Sequence, residues 1–267
     1  MRSTFMRQGL NLCATTTGEG SPFIFQHGLL GDAAQPKSVF PDGTEFSCIT
    51  LECRGHGASE TGPIDLLSIT TFADDLTAFI ESHFDDPVVL GGISMGAAVA
   101  LRVAALRPEL VSGLVLARPA WLAASCPPNM RSNVLVGELL TQYPADQARE
   151  LFEKTGEVAN LRVDAPDNLE SLRSFFSREP HSITASLLLR ISADGPQLSE
   201  SAINNIALPT LVLGHELDVI HPFQYAAQLS ELIPNASLVK ITPKASDASA
   251  YRTDFKQALT HFLGGLA

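Results

Sequence analysis

A serine stands between two glycines in Gly92-Ile93-Ser94-Met95-Gly96, where the apolar run PVVLGG (87–92) gives way to the small-residue stretch SMGAAVALRVAALRPEL (94–110). Gly-x-Ser-x-Gly after a strand and before a helix places the serine on a sharp, strained turn. A Cβ at either glycine would collide with the neighbouring elements. The strain holds the hydroxyl at the top of the sheet, and the N-terminus of the following helix directs positive potential at any anion that forms there. A serine so placed attacks a carbonyl carbon, provided that a base takes its proton. The alternative is a Gly-Ser turn without chemistry.

The elements that must hold this turn follow from the apolar patterning. PFIFQHG (22–28) and EFSCITLECRG (45–55) are short runs rich in Ile, Phe and Cys, as in strands covered on both faces. Residues 4–16 alternate loosely and suggest an opening hairpin. SITTFADDLTAFIESHF (68–84) carries Phe72, Leu76, Phe79 and Ile80 at helical spacing, and VSGLVLARPAW (111–121) is the next strand. After a long gap, LPTLVLGHE, PFQYAAQLSELIP, ASLVKIT and ASAYRTDFKQALTHFL alternate strand, helix, strand, helix. The pattern predicts an α/β fold with a doubly wound, mostly parallel sheet. Residues 1–121 and 206–267 form its core. The gap, 122–205, has helical pieces broken by Pro, Asn and Asp and no buried strand. It is expected to be an inserted helical lid over the carboxyl edge of the sheet, where doubly wound folds bind ligands.

Four segments together resemble the α/β-hydrolase family: FQHGLLGD (25–32), ECRGHGAS (52–59), GGISMG (91–96) and LVLGHELDVIHP (211–222). The resemblance spans roughly residues 20–120 and 206–267 and implies the fold but no substrate. It implies Ser94 as nucleophile, and the backbone N–H groups of Leu29 and Met95 as oxyanion donors. It implies Asp218 as the acid that orients a histidine. His27 and His56 are expected to be packed, hydrogen-bonded residues, and Asp32 to cap a turn. A serine at the elbow excludes the aspartyl-ester route that some members of this fold use.

The family carries its histidine in the loop after the last strand, which here is ITPKASDASAY (241–251) and contains none. Of the seven histidines, His83, His181 and His261 fall on a surface helix, in the insertion and at the flank of the last helix. His215 and His221 bracket the acid. His221 lies three residues after Asp218 and just before Pro222, which reads as the first residue of a helix, so the helix end would keep its ring neutral and an Asp-x-x-His pair can hydrogen-bond locally. His221 is therefore the candidate base. Lys244 with a depressed pKa, His215, or a relay that has been lost remain as alternatives. Arg118 ends a core strand beside the insertion; it is expected either to bind a substrate carboxylate or to pair with an acidic residue of the lid. Trp121 is expected to anchor the start of the insertion or to join the core.

The chain has 267 residues, a net charge of −11, and four cysteines with no C-x-x-C pair. The charge argues against nucleic acid or anionic membrane as partners. Neither a phosphate-binding glycine loop nor a metal-ligand cluster is present, so no cofactor and no metal are expected. The first residues lack an apolar core of a leader, and no span is long enough to cross a bilayer, which predicts a cytoplasmic protein. The expected activity is hydrolysis of a small carboxylic ester, thioester or lactone through an acyl-enzyme on Ser94. A binding protein for a small anionic metabolite and a carbon–carbon bond hydrolase are the alternatives.

Overall fold

Strands whose successive residues point to opposite faces need apolar cover on both sides when every position is apolar, and the architecture supplies it. The computed structural model describes residues 1–266. Its eight strands are β1 (Arg2–Arg7), β2 (Leu10–Thr17), β3 (Ser21–Gln26), β4 (Phe46–Leu51), β5 (Val88–Ile93), β6 (Val111–Ala117), β7 (Thr210–Gly214) and β8 (Ala236–Lys240). They form one sheet in the order β1-β2-β4-β3-β5-β6-β7-β8. β1 and β2 form the opening hairpin and β2 runs antiparallel to β4; from β4 to β8 every pairing is parallel.

Alternation divides the central strands between two cores. Phe23, Phe25, Val89, Val115, Leu211 and Leu213 face one side, packed with Tyr251, Phe255 and Leu259 of α11 (Ala248–Gly264) and Val39 of α1 (Ala34–Val39). Ile24, Leu90, Leu114, Leu116 and Val212 face the other. There they meet α2 (Ile69–His83), α3 (Met95–Leu106) and α10 (Phe223–Leu232). α2 starts where Ser68 accepts a hydrogen bond from the Thr71 N–H, and its buried stripe includes Phe72, Leu76, Phe79 and Ile80.

Between β6 and β7 the chain makes α4 (Arg131–Gln142), α5 (Ala145–Glu153), α6 (Gly156–Asp164), α7 (Pro166–Phe175), α8 (His181–Ala193) and α9 (Glu200–Asn204). Among the described residues this stretch contains no strand. Trp121, 1% exposed, is core, and its indole N–H also donates to the Asp194 carbonyl, which ties the end of β6 to the end of α8. Among the described residues no helix is long and apolar enough to cross a membrane.

The glycines flanking Ser94 have separate steric reasons. A Cβ on Gly92 would lie 2.1 Å from the carbonyl carbon of Gly96, and one on Gly96 would lie 2.5 Å from the Gln26 carbonyl oxygen. The first glycine lets the turn close on itself, and the second lets α3 press against the end of β3. Both contacts are with backbone, which cannot swing aside.

Candidate active site

Ser94 sits at φ 57°, ψ −114°, a conformation that L side chains rarely adopt, and its N–H donates to the Ala117 carbonyl at 2.9 Å. The strained turn thus hangs from the end of β6 and lifts the hydroxyl above the carboxyl edge of the sheet. Ser94 Oγ lies 2.8 Å from His221 Nε2. On the other side of that ring, Nδ1 lies 2.8 Å from Asp218 Oδ1 and 3.0 Å from Oδ2. A carboxylate on Nδ1 holds the proton there, which leaves the Nε2 lone pair to face the serine.

The Asp218–His221 loop is itself built by local and distant bonds. Asp218 Oδ1 also accepts from the His221 backbone N–H at 3.0 Å, so the three-residue spacing closes a small ring. The peptide between these residues is held from both ends by asparagines of the helical stretch. Asn168 Oδ1, on α7, accepts from the N–H groups of Val219 (2.8 Å) and Ile220 (3.2 Å). Asn129 Nδ2 donates to the Ile220 carbonyl at 2.7 Å and to the Ala120 carbonyl at 3.0 Å. Sequence reasoning missed both asparagines, because neither lies near the loop in the chain and neither belongs to a motif.

Arg118 departs from its expected role. Its Nε and Nη2 donate to Asp218 Oδ2 at 2.9 and 2.6 Å, so its charge serves the acid; it pairs neither with an acidic residue of α4–α9 nor with a free anion site. The cause is topological: β6 and β7 are parallel neighbours, the Arg118 N–H donates to the Leu213 carbonyl, and the arginine is carried to the loop that follows β7. Its backbone, at φ 46°, is left-handed there. Nη2 also lies 3.2 Å from His221 Nδ1, so a cation stands beside the ring.

Charges in this buried cluster follow. Burial pushes the Asp218 carboxyl up, but Arg118 and His221 outweigh it and hold the group well below the ordinary carboxylate value. For His221, burial is the largest cause and lowers the pKa; Asp218 raises it and Arg118 lowers it again, with the net result below 6.5. Burial, more than the helix end expected from sequence, therefore keeps the ring neutral. Pro222 is the residue preceding α10, one position earlier than its sequence reading.

The other candidates lie elsewhere. Lys244 donates to Asp167 Oδ1 on α7 at 2.7 Å and does not reach Ser94. His215 Nδ1 donates to the Glu216 carbonyl at 2.6 Å, and its Nε2 lies 3.6 Å from Asp218 Oδ2, behind the acid. His27 Nδ1 donates to the Gly28 carbonyl and its Nε2 accepts from the Cys53 N–H, so it braces the loop after β3. His56 Nδ1 donates to the Arg54 carbonyl. Asp32 Oδ1 accepts from the Ala34 N–H, capping the turn.

A cavity of about 290 Å³ opens on Ser94 and His221. Its walls come from the loop after β3, including Gly28, Leu29 and Asp32, and from the helical stretch, including Asn133 on α4 and Asn168, Ser171 and Phe175 on α7. Gly28 passes close to the serine: a Cβ there would be 3.3 Å from Ser94 Cβ. Among the described residues, neither the Leu29 nor the Met95 N–H donates to another protein group. Leu29 lines the cavity, whereas Met95 is buried behind the serine as the first residue of α3, where backbone donors have no partner within the helix. The geometry can take a proton from a hydroxyl, and it leaves the N–H groups of Leu29 and Met95 without protein acceptors among the described residues.

The alpha/beta hydrolase fold family matches residues 21–249. A protein of Mycobacterium tuberculosis provisionally named a non-heme bromoperoxidase is 27% identical over 258 residues, covering 87% of this chain and 89% of its own. A pimeloyl-[acyl-carrier protein] methyl ester esterase of Nitrosomonas europaea is 24% identical over 236 residues, covering 84% and 88%. Among solved structures, a thermophilic esterase from Thermogutta terrifontis superimposes with a TM-score of 0.75 at 23% identity, over 100% of this chain and 99% of that one.

Proposed function

This chain belongs to the alpha/beta hydrolase fold family, and from that premise we propose that it is a serine hydrolase cleaving small carboxylic esters, thioesters or lactones through an acyl-enzyme on Ser94. The observation that carries the reading is the unbroken line from Ser94 Oγ through the His221 ring to Asp218, with both hydrogen bonds at 2.8 Å, at the floor of a cavity. Relatives whose names include an ester hydrolase are consistent with it.

In this mechanism Ser94 Oγ attacks the carbonyl carbon as His221 Nε2 takes its proton. The Leu29 and Met95 N–H groups receive the oxyanion. Collapse of the tetrahedral species breaks the bond to the leaving alcohol, thiol or lactone oxygen, to which His221 returns the proton. Water, deprotonated by the same nitrogen, then opens the acyl-serine. Asp218 stays ionised throughout and keeps the proton on Nδ1. The anion-binding alternative needs a free cation in the cavity, and Arg118 is spent on Asp218.

The direct test is a fluorophosphonate probe read by intact mass. One adduct is expected per wild-type chain and none on Ser94→Ala; a folded wild-type protein that takes up no probe defeats the reading.

Two further outcomes follow from the same geometry. Asn168→Ala leaves the Val219 and Ile220 N–H groups without their acceptor, and a misplacement of His221 by a fraction of an ångström is costly. A loss of about 10–100-fold in kcat with little change in KM is expected. Asn168→Asp, which keeps an acceptor in place, should recover most of it. Equal losses in both variants would mean that the amide does not act through the loop.

The second concerns pH. Catalysis needs neutral His221, whose pKa lies below 6.5, so the acid limb of kcat/KM is expected below that value. Arg118 contributes to the lowering, and its charge also offsets the Asp218 charge that raises it. Both effects vanish in Arg118→Met, so the limb should move to higher pH in that variant. A limb that stays put or moves down would show that the guanidinium does not tune the ring.

A further inference from the structure

The loop after β3 carries one of the proposed oxyanion donors, and a side chain from the following helix braces it. Residues 28–31 make a tight turn, closed by the Gly31 N–H on the Gly28 carbonyl at 3.0 Å. Leu30 is left-handed within it, at φ 60°, a conformation that a side chain strains to keep. Such a turn persists because its surroundings impose it. Gln35, in the first turn of α1, is one of those surroundings: its Oε1 accepts from the Gly28 N–H at 2.6 Å. The two glycines make room for this amide. A Cβ on Gly31 would lie 2.8 Å from Gln35 Oε1, and one on Gly28 would lie 3.3 Å both from that oxygen and from Ser94 Cβ. Gly28 thus has the amide oxygen and the nucleophile as close neighbours.

The bonds on Gly28 also decide where the next N–H points. In a planar trans peptide the N–H runs opposite to the carbonyl of the same unit. The Gly28 carbonyl accepts from His27 Nδ1 at 2.8 Å and from the Gly31 N–H, so the Leu29 N–H is turned away from both. Gln35 holds the peptide on the other side of the Gly28 Cα through its N–H. A glycine has little conformational preference of its own, and here the peptide units before and after it are tied. Gln35 is itself anchored: its backbone N–H donates to the Asp32 carbonyl at 3.1 Å, Asp32 Oδ1 caps the Ala34 N–H, and Val39 fixes the same helix in the core.

We propose that Gln35 is a positioning residue for the oxyanion hole: by holding the Gly28 N–H it sets the Leu29 N–H where the negative oxygen of the tetrahedral species forms. The inference rests on the serine-hydrolase reading and on Leu29 as a donor within it. A donor moved out of place loses its effect in the transition state, where the charge develops, and leaves substrate binding as it was. Gln35 therefore acts on kcat and on the reacting carbonyl oxygen, not on KM.

The test compares p-nitrophenyl acetate with p-nitrophenyl thionoacetate, in which sulfur replaces the carbonyl oxygen, each kcat/KM being divided by the rate with hydroxide. Sulfur is larger than oxygen and accepts hydrogen bonds poorly, so donors set for an oxyanion favour the oxygen ester. Wild-type protein is expected to favour it by about tenfold or more. Gln35→Met keeps the length of the side chain without its carbonyl acceptor. It should lower kcat for the oxygen ester by about 10–100-fold at nearly constant KM, and reduce the oxygen-to-sulfur ratio to less than about a third of the wild-type value. Gln35→Ala is read in its place if the methionine variant does not fold. A variant that keeps the wild-type ratio, whether or not its rates fall, overturns the proposal, as does one that raises KM without lowering kcat. A wild-type ratio near unity overturns it together with the Leu29 donor, while a fluorophosphonate adduct on Ser94 leaves the hydrolase reading intact. Absence of both adduct and turnover would remove the two together.

Discussion

Replacing His221 with alanine is expected to lower kcat for any activated ester by about 10²–10⁴-fold, the range associated with loss of a general base. The imidazole Nε2 is 2.8 Å from Ser94 Oγ, and the side chain is held from behind by Asp218. The other nitrogen bases discussed lie off this line. Lys244, 42% exposed and paired with Asp167, should tolerate alanine with a change of no more than about twofold, since an exposed ion pair contributes little. His215 stands behind the acid with Nδ1 turned to the Glu216 carbonyl, so its removal perturbs Asp218 but not the proton acceptor. The decisive measurement is the three-way comparison on one p-nitrophenyl ester, with fluorophosphonate labelling as a second readout. If His221→Ala turns over at the wild-type rate, or if Lys244→Ala suffers the larger loss, the assignment of the base is wrong.

Asp218→Asn should be comparably severe, about 10⁴-fold in kcat, for a reason of tautomer rather than charge alone. An amide at this position can present oxygen or nitrogen to His221. Arg118 decides which: its Nε and Nη2 both donate to the position of Oδ2, so the amide oxygen must turn to the guanidinium and the NH₂ group must face Nδ1. The imidazole then carries its proton on Nε2 and points it at Ser94, where it cannot accept one. In the double variant Asp218→Asn with Arg118→Met the amide is free to reverse. The combined loss should therefore be smaller than that of Asp218→Asn alone, a non-additivity expected only of groups in one network. Losses that simply multiply would indicate that Arg118 does not orient the acid. The arginine has a second consequence: it supplies the partner that lets a carboxylate remain ionised while buried, and its removal leaves an uncompensated buried charge. Thermal unfolding of Arg118→Met should accordingly be measured beside its kinetics.

The division between what the chain spells out and what it does not is sharp at this site. Alternating strand and helix runs specify the parallel sheet because a strand with apolar residues at every position has to be covered on both faces. Gly92 and Gly96 announce the turn because a Cβ on the first would strike the turn's own backbone and one on the second the end of β3. The acid and His221 are visible for a related reason. They lie three residues apart, and a short loop can close a hydrogen bond over that distance whatever the rest of the fold does. The opening hairpin is likewise local, six register pairs across one turn.

Contacts between distant segments were not legible. Arg118 could be placed at a strand end beside the cavity but not matched to a partner, because an arginine reaches several acidic groups. Only the parallel pairing of β6 with β7 brings it to Asp218, a hundred residues away. Asn129 and Asn168 have no motif; each is an ordinary polar residue in a helical stretch until folding sets it against the Ile220 peptide. By itself the sequence determined the sheet, the serine's strained turn and the short-range acid–histidine pair, since these depend on patterning and spacing along the chain. The tertiary structure alone decided which nitrogen approaches the serine, which cation holds the acid and what lines the cavity, since those depend on where separate segments come to rest against one another.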